Sequence, residues 1–111
     1  MRIDKLSLAA LGATLLHYLK EEATSAIPSW RMIATPETEL KRRASRWARA
    51  IGPRASLVQG HSTIGGGSLP GETLPTWLVA LDATDHSGGA NALAAALRRA
   101  DPLVIARIED D

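Results

Sequence analysis

The 111-residue chain contains no cysteine and no phenylalanine, and its only aromatic residues are Tyr18, Trp30, Trp47 and Trp77. The lack of cysteine excludes disulfides, thiolate nucleophiles and zinc–thiolate sites. The scarcity of rings limits the core, because alanine and leucine bury less apolar area per residue than large aromatic side chains. Part of the apolar surface is therefore expected to face a partner. A dominant charge is missing too: 13 Lys and Arg stand against 12 Asp and Glu, a formal net charge of +1. That balance makes no general case for nucleic acid, although local clusters can still act. No stretch approaches the roughly 18 apolar residues of a membrane span. The opening MRIDKLSLAALGATLLHYLKEE is interrupted by Lys5 and His17 and has no small-residue cleavage site. It reads as a helix of a soluble protein rather than a signal peptide, with no membrane partner and a cytoplasmic default.

What is present is 45% hydrophobic, which suits one modest core. Residues 4–25 read as one long helix with Asp4 at its start and leucines on more than one face. Ile27 to Thr35 alternates like a strand. Thr35-Pro36-Glu37 then signals a helix, with Thr35 as N-cap and Pro36 at its first position. Leu40, Ala44, Trp47, Ala48 and Ile51 trace its apolar face, and Gly52-Pro53 stops it. Residues 55–61 and 76–83 read as strands, with Trp77, Val79 and Leu81 on one face. A helix follows, capped by Ser87 and running through GANALAAALRRA. Asp101-Pro102 ends it, and LVIARIE reads as a last strand. The pattern predicts an α+β fold: a long N-terminal helix, residues 1–26, followed by a two-layer split β-α-β-β-α-β sandwich, residues 27–111.

Three features invite a chemical reading. The stretch HSTIGGGSLPGETLP, His61 to Pro75, lacks the spacing of a P-loop and of a dinucleotide fingerprint. Its prolines prevent a helix from starting there, so no helix N-terminus receives a phosphate. It reads as a wide hairpin connection whose glycines serve close main-chain approach or positive φ. Lys41, Arg42, Arg43, Arg46, Arg49 and Arg54 cluster on and after the second helix; Arg42, Arg46 and Arg49 are candidates for RNA phosphate contact, against a plain solvated face. No aromatic platform interleaves them in the sequence reading. His17, His61 and His86 form no metal-ligand pattern, so no metal is expected.

The segments MRIDKLSLAAL, IPSWRMIAT, HSTIGGGSLPGETLPTWLVAL and DPLVIARIEDD, in this order, resemble the C-terminal part of bacterial selenocysteine synthases, the L-seryl-tRNA(Sec) selenium transferases. The run Ser62 to Pro75 is the most specific landmark, and Pro102 to Glu109 the next. The resemblance implies the small C-terminal domain of a fold-type-I pyridoxal phosphate enzyme. Such an enzyme converts L-seryl-tRNA(Sec) to L-selenocysteinyl-tRNA(Sec) with selenophosphate as donor, and assembles as a large homo-oligomer. It implies that Arg2 binds the phosphate-bearing donor, as a guanidinium is suited to do. Residues 1–26 would connect to a large catalytic domain. The lysine that carries the cofactor in the family belongs to a different segment, and Lys5 is not its equivalent. No catalytic or cofactor-binding residue is therefore expected in this chain, which alone should hold no cofactor and be inactive. Gly65, Gly66, Gly67 and Glu72 become a shaped loop near a domain or subunit interface. Two other readings stand beside this one: a related pyridoxal phosphate lyase acting on a phosphorylated amino sugar, and a non-enzymatic RNA-binding module.

Overall fold

The computed structural model describes residues 3–65 and 71–109. Its elements run α1 (Lys5–Leu19), α2 (Ala23–Ala26), α3 (Pro28–Ile33), α4 (Glu37–Ile51), β1 (Ala55–Thr63), β2 (Thr73–Leu81) and α5 (Gly89–Arg99). The class is α+β, with four helices ahead of a two-stranded sheet and one after it.

The chain divides into two compact units, Met1–Arg43 with Gln59–Trp77, and Ala44–Val58 with Leu78–Asp111. In the first unit, Asp4 caps α1: its Oδ1 accepts the Ser7 amide at 2.9 Å and its Oδ2 accepts the Ser7 hydroxyl at 2.6 Å. No residue of α1 is buried, and Leu6 and Leu19 are 83% and 80% exposed. The helix expected through residue 25 breaks after Leu19. Glu21 takes a left-handed conformation, φ 56°, and the Glu22 amide returns to the His17 carbonyl at 3.0 Å. The His17 Nδ1 and Glu22 Oε1, 2.8 Å apart, close the corner.

The strand expected over residues 27–35 is a helix. Ile27 is the N-cap of α3 and Pro28 occupies its first turn, where a missing N–H costs nothing and the fixed φ already suits a helix. The indole Nε1 of Trp30 donates to the Tyr18 hydroxyl, tying α3 to α1. A short apolar run carries too little periodicity to tell the two structures apart, and proline placement decides here. The Thr35 hydroxyl donates back to the Arg31 carbonyl at 2.7 Å rather than serving α4.

In the second unit, α4 contributes Ala44 and α5 contributes Ala94, each 4% exposed, to the core. The Asp82 amide donates to the Arg54 carbonyl at 2.9 Å, so the start of β1 meets the end of β2 and the pair is an antiparallel hairpin. Gly88, not Ser87, is the N-cap of α5, with φ 89°. A Cβ there would lie 2.8 Å from the Ala92 Cβ. Gly88→Ala is therefore expected to destabilise the protein by about 1–3 kcal/mol, read from the shift in urea midpoint. An unchanged midpoint would contradict the described cap.

The last expected strand is also corrected. Residues 103–109 form no ladder among the described residues, and the sheet holds only β1 and β2. The Val104 amide instead donates to the Leu97 carbonyl at 2.9 Å, which holds the segment against the end of α5. Leu103 and Ile105 stay 63% and 79% exposed. The expected β-α-β-β-α-β order is thus replaced by α-α-α-α-β-β-α.

Two carboxylates make acid sensitivity a local matter. The Ser7 hydroxyl and amide hold the Asp4 carboxyl below the usual carboxylate range. The Thr84 hydroxyl and amide do the same for Asp82, and the Arg54 charge adds to it. Both groups favour the folded state while ionised. Their contribution is complete above the unfolded value of about 3.9 and is lost as pH falls through the depressed folded value. Urea midpoints should therefore decline below about pH 4. The double variant Asp4→Asn, Asp82→Asn should show a flatter decline, and an equally steep one would rule these two groups out.

Candidate functional site

Helix α4 carries the basic residues because its sequence alternates small apolar side chains with arginines. Ala44 faces inward, while Arg42, Arg46 and Arg49 are exposed. Spaced four and three residues apart, they share one side of the helix. The Arg49 Nε donates to the Ser45 carbonyl at 3.3 Å, laying the guanidinium along its own helix. In the second unit, Ser45, Ala48, Arg49, Gly52, Ala55 and Leu57 line an open, shallow depression.

Lys41 belongs elsewhere. Its Nζ stands 4.3 Å from the centroid of the Trp77 ring. The Trp77 Nε1 donates to Glu37 Oε1 at 3.0 Å, and the Gln59 Nε2 donates to the same oxygen at 3.5 Å. The hairpin register sets Gln59 level with Trp77, so one carboxylate at the start of α4 collects a donor from each strand. Glu37 and Trp77 each show in the sequence, but their meeting depends on the strand register. That register has no local signature in a hairpin with a long connection.

Trp47 is less covered than its place in the sequence pattern implies. The helical spacing assigns it to the apolar face, yet it is 53% exposed and Ile51, one turn on, is 51% exposed. At about 100° per residue Trp47 lies about 60° round the helix from buried Ala44 and about 160° from Arg49.

The glycine-rich stretch is described in part. Gly65 has φ 150° and Gly71 has φ 87°, and a Cβ on either would meet nothing within 4 Å. Backbone conformation, rather than close approach within the described residues, accounts for glycine at these two positions. Glu72 is exposed just before β2. Arg2, Gly66 and Gly67 lie outside the described residues. Among the histidines, His17 pairs with Glu22, His61 is exposed on β1, and His86 Nδ1 is buried without a hydrogen-bond partner among the described residues. No cluster of three His, Asp or Glu side chains among the described residues is placed to hold a metal ion. No helix of the described residues is long and apolar enough to cross a membrane.

Pyridoxal phosphate needs a lysine amine within reach of its aldehyde and several donors around its phosphate. The depression beside α4 has one cationic side chain, Arg49, and no lysine. Lys5 and Lys20 lie exposed at the two ends of α1, and Lys41 is held over Trp77. The described residues do not fit that cofactor, and no chemical step is assigned to them.

The described residues join a basic helix, α4, to an antiparallel hairpin in an α+β chain. All of it, residues 1–111, matches the family model of L-seryl-tRNA selenium transferase, and the chain belongs to that family. It is 46% identical over 121 aligned residues to the L-seryl-tRNA(Sec) selenium transferase of Desulfovibrio desulfuricans, with 100% of this chain and 25% of that protein covered. The corresponding protein of Moorella thermoacetica is 42% identical over 119 residues, covering 100% and 25%. That of Carboxydothermus hydrogenoformans is 35% identical over 116 residues, covering 100% and 24%. The chain spans about a quarter of the length of the curated relatives it matches.

Proposed function

We propose that this chain serves as the small C-terminal domain of a fold-type-I, pyridoxal phosphate-dependent transferase that converts L-seryl-tRNA(Sec) to L-selenocysteinyl-tRNA(Sec) with selenophosphate, in the cytoplasm and as a homo-oligomer. The observation that carries the reading is the match along all of residues 1–111. The cofactor supplies the electronic chemistry from a site in the large domain. This chain's own residues bind and position. Arg2 holds the phosphate-bearing donor, and α1 in residues 1–26 packs its leucines on the large catalytic domain. The loop of Gly65, Gly66, Gly67 and Glu72 shapes a contact with a neighbouring domain or subunit. Arg42, Arg46 and Arg49 touch tRNA phosphates.

Exchanging this segment for the corresponding quarter of the Moorella thermoacetica protein tests the assignment. The folded chimera is expected to keep tRNA-dependent selenium incorporation; a folded but inactive one would overturn it. The arginines make a separate prediction. Replacing Arg42, Arg46 and Arg49 together with alanine should weaken tRNA binding and flatten its dependence on log salt by about two units, at roughly 0.7–0.9 per lost phosphate contact. An unaltered salt slope would remove these three residues from the RNA surface.

A further inference from the structure

We propose that the side of α1 carrying Leu8, Gly12, Leu15 and Leu19 is a seam that pairs antiparallel with α1 of a second copy of this chain; the inference rests on the homo-oligomer of the proposed function and gives it a surface. Lys5, Leu8, Gly12, Leu15 and Leu19 recur at intervals of three and four residues, the a and d positions of two heptads. On α1 they fall within an arc of about 80°. Leu8 and Leu15 are 55% and 52% exposed, and Leu16, at the edge of the arc, is as open as Leu15. The bonds that tie α1 to the next elements leave from other sides of the helix. His17, paired with Glu22, lies about 160° round from the middle of the arc, and Tyr18, which accepts from Trp30, about 100°. Gly12 sits inside the arc and in the middle of the helix, where glycine is less stabilising than alanine. A Cβ built on it would meet nothing within 4 Å, so no contact among the described residues calls for its small size. A neighbour approaching from outside accounts for it.

The seam complements itself, as a two-fold contact requires. When two copies run antiparallel with Gly12 level with Leu15, the same register sets Leu8 level with Leu19. The Leu15 side chain of each copy then enters the space that glycine leaves on the other. A parallel, in-register pair would set glycine on glycine and leave a void. Charge decides in the same sense. The helix begins at Asp4 and Lys5 and is followed by Lys20, Glu21 and Glu22. Antiparallel copies bring Lys5 towards Glu21 and Glu22 of the partner subunit, and Asp4 towards Lys20 of the partner subunit. Parallel copies would set each charge beside its like. Leu6, 83% exposed, and Ala10 lie on the far side of α1, so the helix keeps a second apolar side for the large domain. The seam is about 21 Å long. That is short for a stable interface, so the chain by itself associates weakly and reversibly.

Sedimentation of the 111-residue chain over a concentration series reaching about 1 mM reads the association. The chain is expected to show a monomer–dimer equilibrium, and Leu15→Lys should weaken it at least tenfold. Gly12→Leu should weaken it as much by filling the space that Leu15 enters, while circular dichroism shows helix content unchanged or higher. Lys5→Glu should weaken it at low salt and less at high salt. The chain has no cysteine, so single introduced cysteines read the register without background. In a glutathione redox buffer, Leu8→Cys chains mixed with Leu19→Cys chains should form the mixed disulfide beyond the proportion that random pairing gives. A preference for disulfides between like chains would overturn the antiparallel pairing. A chain that stays monomeric would overturn the seam and leave the large domain as the neighbour of this side. Dimers that Gly12→Leu and Leu15→Lys leave intact would also overturn the seam, with the homo-oligomer reading still standing. A parent protein that light scattering shows to be monomeric would remove both.

Discussion

Replacing Ala94 with aspartate is expected to unfold the second unit. Ala94 sits in the middle of α5 at 4% exposure, one of two apolar residues this deeply buried among the described residues. A carboxylate there would lose its hydration, and the nearest cation of α5, Arg98 one turn on, is exposed to solvent, so pairing with it would require leaving the buried position. An uncompensated buried charge costs about 3–5 kcal/mol, a large share of the stability of a small domain. Ala94→Gly is the control. It removes one methyl group and helix propensity, and should cost about 1 kcal/mol. Circular dichroism during urea titration reads both. Near-equal midpoints for the two variants would show that α5 is less buried than described.

Trp77→Ala is expected to cost about 2–4 kcal/mol, somewhat less than a fully buried tryptophan because the ring is half-buried. The loss combines three contacts: apolar area on the sheet, the bond from Nε1 to Glu37, and the Lys41 ammonium over the ring. They can be separated. Trp77→Phe keeps a ring and removes the N–H, leaving Glu37 with Gln59 alone, and should cost about 1–2 kcal/mol. Lys41→Met keeps the stem and removes the charge, and should cost about 0.5–1 kcal/mol. A double-mutant cycle between Trp77→Phe and Glu37→Gln should show coupling, since both report on one hydrogen bond. Strict additivity would mean that the bond from Trp77 to Glu37 contributes nothing to stability.

The helices α4 and α5 were legible in the sequence because their signals agree at several levels. Pro36 and two glutamates open α4, Gly52-Pro53 closes it, and apolar residues recur at helical spacing. The strands β1 and β2 were legible from alternation on either side of a glycine- and proline-rich connection. Residues 27–35 were not, because Trp30, Met32 and Ala34 satisfy a strand pattern as well as a short helix, and Pro28 outweighs the alternation. Residues 103–109 have a strand-like composition in Val104, Ile105 and Ile108, but pairing needs a neighbour that local pattern cannot supply. The same distinction runs through the candidate site. The arginines of α4 are visible as a cluster, whereas the exposure of Trp47 depends on how far round the helix its neighbours reach. The union of Glu37, Lys41, Gln59 and Trp77 depends on hairpin register and on how α4 lies along it.

A core that relies on alanine also shapes the response to temperature. Unfolding a protein raises its heat capacity in proportion to the apolar surface released, typically about 12–15 cal/mol/K per residue. Ala44 and Ala94 release little, Leu6 and Leu19 release little more, and Leu11, Leu15 and Leu16 release about half of their surface. The stability of this chain by itself is therefore expected to vary gently with temperature. Calorimetry of the chain is expected to give a small unfolding enthalpy and a broad transition.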